Sequence, residues 1–157
     1  MKLNDVIVTV FFIGRISFAP GTLASLATAM FFYAFLQHCS IYLILMITLS
    51  IYILALVSVS RYTRDMIHKD KSEIVIDEVI GQLIALTPII WYKNNLDSTF
   101  VSICASIFLF RFFDIVKPQP IKYFDNINKA WAVIIDDCIA GLFAAITLII
   151  LIEYLAK

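Results

Sequence analysis

Five apolar stretches, each closed by polar residues, dominate the chain: Leu23–Leu36, Ile41–Val59, Val79–Tyr92, Phe100–Phe113 and Cys138–Leu155. A bilayer core takes about 20 helical residues, with a working range of about 17–25. Backbone polar groups in lipid must be satisfied within the segment itself, so runs of this length predict helices rather than buried strands. The second stretch spans with ease. The first and third are short, which predicts that protein shields part of them. Composition agrees, since 62% of the 157 residues are apolar and the mean hydropathy is +0.93, against about 45–50% apolar in soluble domains. The expectation is an all-α integral membrane bundle of about six helices, a short amino-terminal one and the five apolar segments. Residues 1–157 form a single membrane-embedded domain in this reading.

Charge narrows the function. Lys+Arg and Asp+Glu number 12 each, so the clustered, uncompensated basic charge that nucleic-acid binding requires is missing. Cys39, Cys104 and Cys138 sit in apolar surroundings and make no disulfide framework. Two histidines, His38 and His68, without C-x-x-C or H-E-x-x-H, argue against zinc. The run Val6–Ile13 is too short to span. With Lys2 nearly cancelled by Asp5 it lacks the basic start of a signal peptide, and it predicts a short helix at the membrane surface.

The charged residues fall on one side. If the first stretch leaves the cytoplasm, ten basic residues lie inside (Lys2, Arg15, Arg61, Arg64, Lys69, Lys71, Arg111, Lys117, Lys122 and Lys129) and two, Lys93 and Lys157, outside. That bias predicts a cytoplasmic amino terminus. Ten of the 12 acidic residues share the same side, with only Asp97 and Glu153 opposite. An ion pathway would place ionisable groups midway through its spans. Here they gather at helix ends on one face, together with Gly14, Gly21, Gly81 and Gly141.

Three acidic clusters carry the chemistry. Asp77-Glu78 opens the third stretch, Asp114 closes the fourth, and Asp136-Asp137 opens the fifth. The two pairs are expected at helix amino ends, where the dipole favours negative charge. Gly81 and Gly141 each lie four residues beyond an aspartate, leaving a gap on the same helix face for a second helix or a ligand. N-capping with small-residue helix packing explains either pair alone. Carboxylates crowded near lipid repel unless a cation joins them. All-oxygen donors suit Mg²⁺, which one or two carboxylates and a substrate phosphate commonly hold. Asp77, Asp114, Asp136 and Asp137 are the candidate ligands.

Basic and hydroxyl groups supply the anion side. Arg111, Asp114 and Lys117 follow at intervals of three on one helix face, and the prolines of Lys117-Pro118-Gln119-Pro120 end that helix. A snorkelling interface lysine is the plain alternative for Lys117. Pro20-Gly21 makes a turn, with Thr22 expected to cap the next helix and, with Ser25, to meet a phosphate there. An ordinary cap is the plain alternative. Glu78 or the second aspartate is a candidate to orient or deprotonate water.

Four ordered pieces together resemble the phosphatidylglycerophosphatase A family: Ala19-Pro20-Gly21-Thr22-x-x-Ser25-Leu26, Ile76-Asp77-Glu78-x-x-Gly81, Phe110-Arg111-x-Phe113-Asp114-Ile115-x-Lys117-Pro118-x-Pro120-Ile121 and Asp136-Asp137-x-x-Ala140-Gly141. Ala24 and Ala130-Trp131 depart from the family's usual glycines. The resemblance implies one central helix wrapped by the others. It also implies a multi-pass, Mg²⁺-dependent lipid phosphatase of the bacterial inner membrane, its site facing the cytoplasm, that hydrolyses phosphatidylglycerol phosphate to phosphatidylglycerol and inorganic phosphate. In that setting Asp77, Glu78, Asp114, Asp136 and Asp137 are catalytic or metal-binding, and Thr22, Ser25, Arg111, Lys117 and Lys129 bind substrate. A phosphatase for another lipid phosphate such as phosphatidate would share this site. A small ion or proton carrier using Asp77, Asp114 and Asp136 is the reading from a different class.

Overall fold

The computed structural model describes residues 3–64, 72–92 and 96–155. Lys2, Asp65, His68, Lys69, Asp70, Lys71, Lys93 and Lys157, used above in counting charge and histidines, and the side chain of Asp97 lie outside the described residues. Among those described there is no strand. Seven α-helices follow one another: α1 (Leu3–Val8), α2 (Pro20–Phe31), α3 (Ile41–Tyr62), α4 (Ile76–Trp91), α5 (Leu96–Val116), α6 (Ile121–Asp125) and α7 (Ala130–Leu155). The five apolar stretches and the amino-terminal helix are all present. The additional helix, α6, is a single short turn after the prolines.

Helix α4 is the centre. It packs against α2, α3, α5 and α7 and buries ten of its 16 residues. Its shortness therefore carries little penalty, because neighbouring helices rather than lipid surround it. Three helices are long and apolar enough to cross a membrane: Ile41–Tyr62, Thr99–Val116 and Ala130–Tyr154. Helix α3 shows the lipid-facing character clearly, exposing Leu45, Met46, Leu49, Ile53 and Leu54.

Helix starts differ from those that hydropathy predicts. Helix α2 begins at Pro20, with Ala19 as N-cap in the left-handed region at φ 42°. Proline suits a first helical position because its φ is already set, so Thr22 stands inside the first turn and is not the cap. Helix α7 begins at Ala130, eight residues before the apolar window opens at Cys138. Asp136 and Asp137 are thus its seventh and eighth residues, two turns inside the helix rather than at its amino end. The amino-terminal run is helical only to Val8. Thr9 Oγ1 donates to the Asp5 carbonyl at 2.7 Å and accepts from Phe12 N at 3.2 Å, and Val10, Phe11 and Phe12 turn the chain with positive φ.

Two glycines bring α4 and α7 together. A Cβ on Gly141 would strike the Gly81 carbonyl, and one on Gly81 would meet the Asp137 carbonyl oxygen at 2.7 Å and the Phe110 ring at 2.5 Å. The backbones touch, as small-residue crossings in membranes allow. Gln82 of α4 donates to Ser106 Oγ of α5 at 3.1 Å in the buried interior. At the far end Tyr92 donates to Glu153 at 2.6 Å, tying α4 to α7 again.

Gly141→Val forces these two backbones apart. We expect a loss of at least about 1–3 kcal/mol from overpacking, seen as a lower thermal midpoint in detergent. Leu142→Ala, at an outward position 50% exposed, should leave the midpoint nearly unchanged. Equal midpoints for Gly141→Val and wild type would refute the tight crossing.

Candidate active site

Four chain segments meet at one end of the bundle. Helices α2, α4 and α7 start there and α5 finishes there, around a cavity of about 240 Å³. Its charged lining is Asp77 and Glu78 from α4, Arg111 and Asp114 from α5, Lys117 just beyond α5, and Asp136 and Asp137 from α7. The carboxylates of Asp77, Asp114 and Asp136, distant in sequence, share this one space.

Each group is held for a local reason. Asp77 and Glu78 lie in the first turn of α4, where peptide dipoles favour anions, and Asp77 Oδ1 accepts from Glu78 N at 3.0 Å. Gly21 lies directly against the Glu78 carboxylate, and any side chain there would occupy the same space. Arg111 Nη1 bridges two acids, 3.1 Å from Glu78 Oε1 and 2.9 Å from Asp114 Oδ2. Lys117 adopts φ 47° at the end of α5, a conformation seldom found outside glycine and asparagine and one that clusters at functional sites. The turn carries its ammonium to Asp136 Oδ2 at 3.1 Å and to Asp125 Oδ1. Burial alone would lower the Lys117 pKa. The hydrogen bond to Asp125, with the charge and hydrogen bond of Asp136, outweighs it and holds the ammonium above the ordinary lysine value of 10.5.

The sum is unbalanced. Five carboxylates and two cations line the cavity, an excess of three formal negative charges. Asp136 Oδ1 and Arg111 Nε are buried without a hydrogen-bond partner, an acceptor and a donor each left to be met. Such orphaned groups cost about 1–3 kcal/mol apiece. The all-oxygen donor set and the unmet Asp136 oxygen fit a hard cation in kind. Among the described residues no three Asp, Glu, His or Cys side chains converge into a finished ligand set, and Arg111 and Lys117 hold oxygens of Glu78, Asp114 and Asp136.

Three expected residues lie elsewhere. Thr22 is exposed and does not line the cavity. Ser25 is buried and its hydroxyl donates to the Gly21 carbonyl at 3.0 Å, so α2 contributes Ala19, Pro20 and Gly21 to the lining instead. Lys129 is exposed just ahead of α7 and also outside the lining. Sequence reasoning missed Asp125, the second partner of Lys117. Its signal was only its membership of the one-sided acidic set, because the prolines that fold α6 back hide the proximity. Trp131, in place of a family glycine, packs edge-on to Phe124 at 6.4 Å and is not part of the lining, which Val133 joins.

Comparison with known proteins decides the family. The family model described as phosphatidylglycerophosphatase A matches residues 6–152. The chain belongs to the phosphatidylglycerophosphatase A family. A phosphatidylglycerophosphatase A of Haemophilus influenzae is 35% identical over 134 residues, 85% of this chain and 78% of the relative. One of Escherichia coli is 35% identical over 131 residues, 80% of this chain and 70% of the relative. A putative phosphatidylinositol-3-phosphatase of Bacteroides thetaiotaomicron is 35% identical over 78 residues, half of this chain and 46% of the relative. No solved structure matches. The chain is a phosphatase by this membership, and its three long apolar helices make it a membrane-associated one.

Lys117 ties the end of α5 to α6 and α7 through charged hydrogen bonds. Lys117→Met should reduce phosphate release from a lipid phosphomonoester by about a hundredfold or more, the range for losing one preorganised transition-state contact. Asp125→Asn, which keeps the shape and a hydrogen-bond acceptor, should cost much less. Equal rates for Lys117→Met and wild type in a folded preparation would remove Lys117 from the site.

Proposed function

We propose that the protein hydrolyses the phosphomonoester of phosphatidylglycerol phosphate, with Mg²⁺, at the cytoplasmic face of the bacterial inner membrane. The observation that carries this is the charge excess of the cavity. A pocket that must accept a phosphate while five carboxylates face it is electrostatically forbidding unless a cation stands between them. The names of the two phosphatidylglycerophosphatase A relatives support the substrate, and the one-sided charge of the chain supports the orientation.

Asp77, Asp114 and one of Asp136 and Asp137 would hold the metal. When bound, Mg²⁺ polarises a phosphoryl oxygen and makes a bound water more acidic. The chain's own groups do the rest. Arg111 and Lys117 receive the phosphoryl oxygens and stabilise the charge that spreads onto them in the transition state. Releasing Arg111 to an incoming phosphate frees Glu78 or Asp114, so a carboxylate becomes available as an anion arrives. Glu78 or Asp137 takes the proton of the attacking water as its oxygen bonds to phosphorus. The phosphorus–oxygen bond to glycerol breaks, and the departing oxygen takes a proton from solvent water as the carboxylate returns its own to solvent. The acyl chains keep the ester at the interface, where these helix ends lie.

Purified protein in detergent should release phosphate from phosphatidylglycerol phosphate with Mg²⁺ and stop on EDTA. Asp136→Asn should lose about a hundredfold or more. Full activity in EDTA would sink the metal, and faster turnover of phosphatidate would shift the substrate. For orientation, Lys122→Cys in a chain whose own cysteines are serines should react with an impermeant thiol reagent only after the inner face is opened.

A further inference from the structure

Beside the catalytic cavity lies a second, larger one of about 490 Å³, lined by Gly14, Arg15, Ser17, Pro20, Ser72 and Glu73 among others. Pro20 and Ser72 line both, so the two spaces share a wall. Nothing in the reaction described so far uses Arg15. Its side chain is 47% exposed and lies over the Phe12 ring at 5.1 Å, and its ion pair with Asp5 is long, at 3.9 Å. A pair of that length on the surface contributes little and yields readily to another anion. The Glu73 carboxylate in the same lining accepts the Tyr62 hydroxyl at 2.9 Å.

The segment that presents Arg15 is shaped at some cost. Val10, Phe11 and Phe12 have φ of 45°, 53° and 72°, a left-handed turn that such residues avoid. Gly14 is wedged against the Glu73 carbonyl, where no Cβ fits. Followed along the chain, this segment meets three environments. Val10 and Phe11 border an apolar groove of about 270 Å³ that Ala27, Phe31 and Leu83 also line. Gly14, Arg15 and Ser17 border the second cavity, and Ala19, Pro20 and Gly21 border the catalytic one. Hydrocarbon, cation and hydroxyls, then the phosphatase site follow in the order of acyl chain, phosphodiester and terminal phosphate along the lipid substrate.

We propose that Arg15, with Ser17 and Ser72, binds the bridging phosphodiester of the lipid whose terminal phosphate occupies the catalytic cavity, an inference that rests on the substrate proposed above. A phosphodiester carries one negative charge, which one guanidinium can meet with paired N–H donors. The contact lies away from the reacting bond, so it binds substrate without entering the chemistry. It also discriminates. Phosphatidate has a single phosphate and cannot fill both cavities, so Arg15 favours lipids with a second, internal phosphate.

The test reads binding directly, so it needs no turnover. Full-length protein in detergent is titrated by calorimetry with short-chain phosphatidylglycerol, which keeps the phosphodiester and lacks the terminal phosphate, and separately with inorganic phosphate. Arg15→Gln should weaken the first by about tenfold and leave the second unchanged, and Arg15→Lys should recover part of the loss. In hydrolysis the same variant should raise KM for phosphatidylglycerol phosphate with kcat nearly constant. Equal binding of phosphatidylglycerol by wild type and Arg15→Gln, no binding by either, or a parallel loss for inorganic phosphate would overturn the proposal. Failure of the wild type to hydrolyse phosphatidylglycerol phosphate would instead overturn the substrate reading.

Discussion

The backbone contact between α4 and α7 governs the arrangement of everything else. Lipid supplies no hydrophobic drive between helices, so association in the bilayer depends on close packing. Gly81 and Gly141 permit that closeness. The two helices both start at the site end, and each carries an aspartate one turn before its glycine. Their contact therefore sets Asp77 and Asp137 beside one cavity as a direct result of the crossing. The packing that joins the helices is the same packing that crowds their carboxylates.

That crowding is tolerable because α5 arrives from the opposite direction. Its last turns bring Arg111 between Glu78 and Asp114, and the left-handed residue after it brings Lys117 between Asp125 and Asp136. Each cation pairs with two carboxylates and so ties α5 to another helix. Compensation stops short of neutrality. An excess of three formal negative charges and an unmet Asp136 oxygen remain.

Much of this was legible beforehand, and the misses share a cause. Hydropathy located every long helix but placed the start of α7 at Cys138, because two aspartates interrupt the apolar run while the backbone continues helical through them. Thr22 and Ser25 looked like phosphate ligands from their place after Pro20-Gly21. Pro20 is already in the helix, so Thr22 faces out and Ser25 satisfies its own helix. Lys129 is near Asp136 in sequence yet a turn and more away along α7, outside the lining. Asp125, eight residues after Lys117, was hidden because helical spacing does not carry across Pro118 and Pro120, which lie between the two.

By itself, then, the sequence determined the helical class, the gathering of charge at one end, and the residues Asp77, Glu78, Arg111, Asp114, Lys117, Asp136 and Asp137 as a set. Those follow from local rules, since backbone hydrogen bonds in lipid must close within a helix and charge is expelled to its ends. Only the tertiary structure decided which carboxylate meets which cation, that Asp136 and Asp137 lie two turns deep, and that Arg15 borders a cavity adjoining the one these carboxylates line. Those depend on crossing points and helix rotation, which glycine contacts between distant segments set and no stretch of the chain encodes alone.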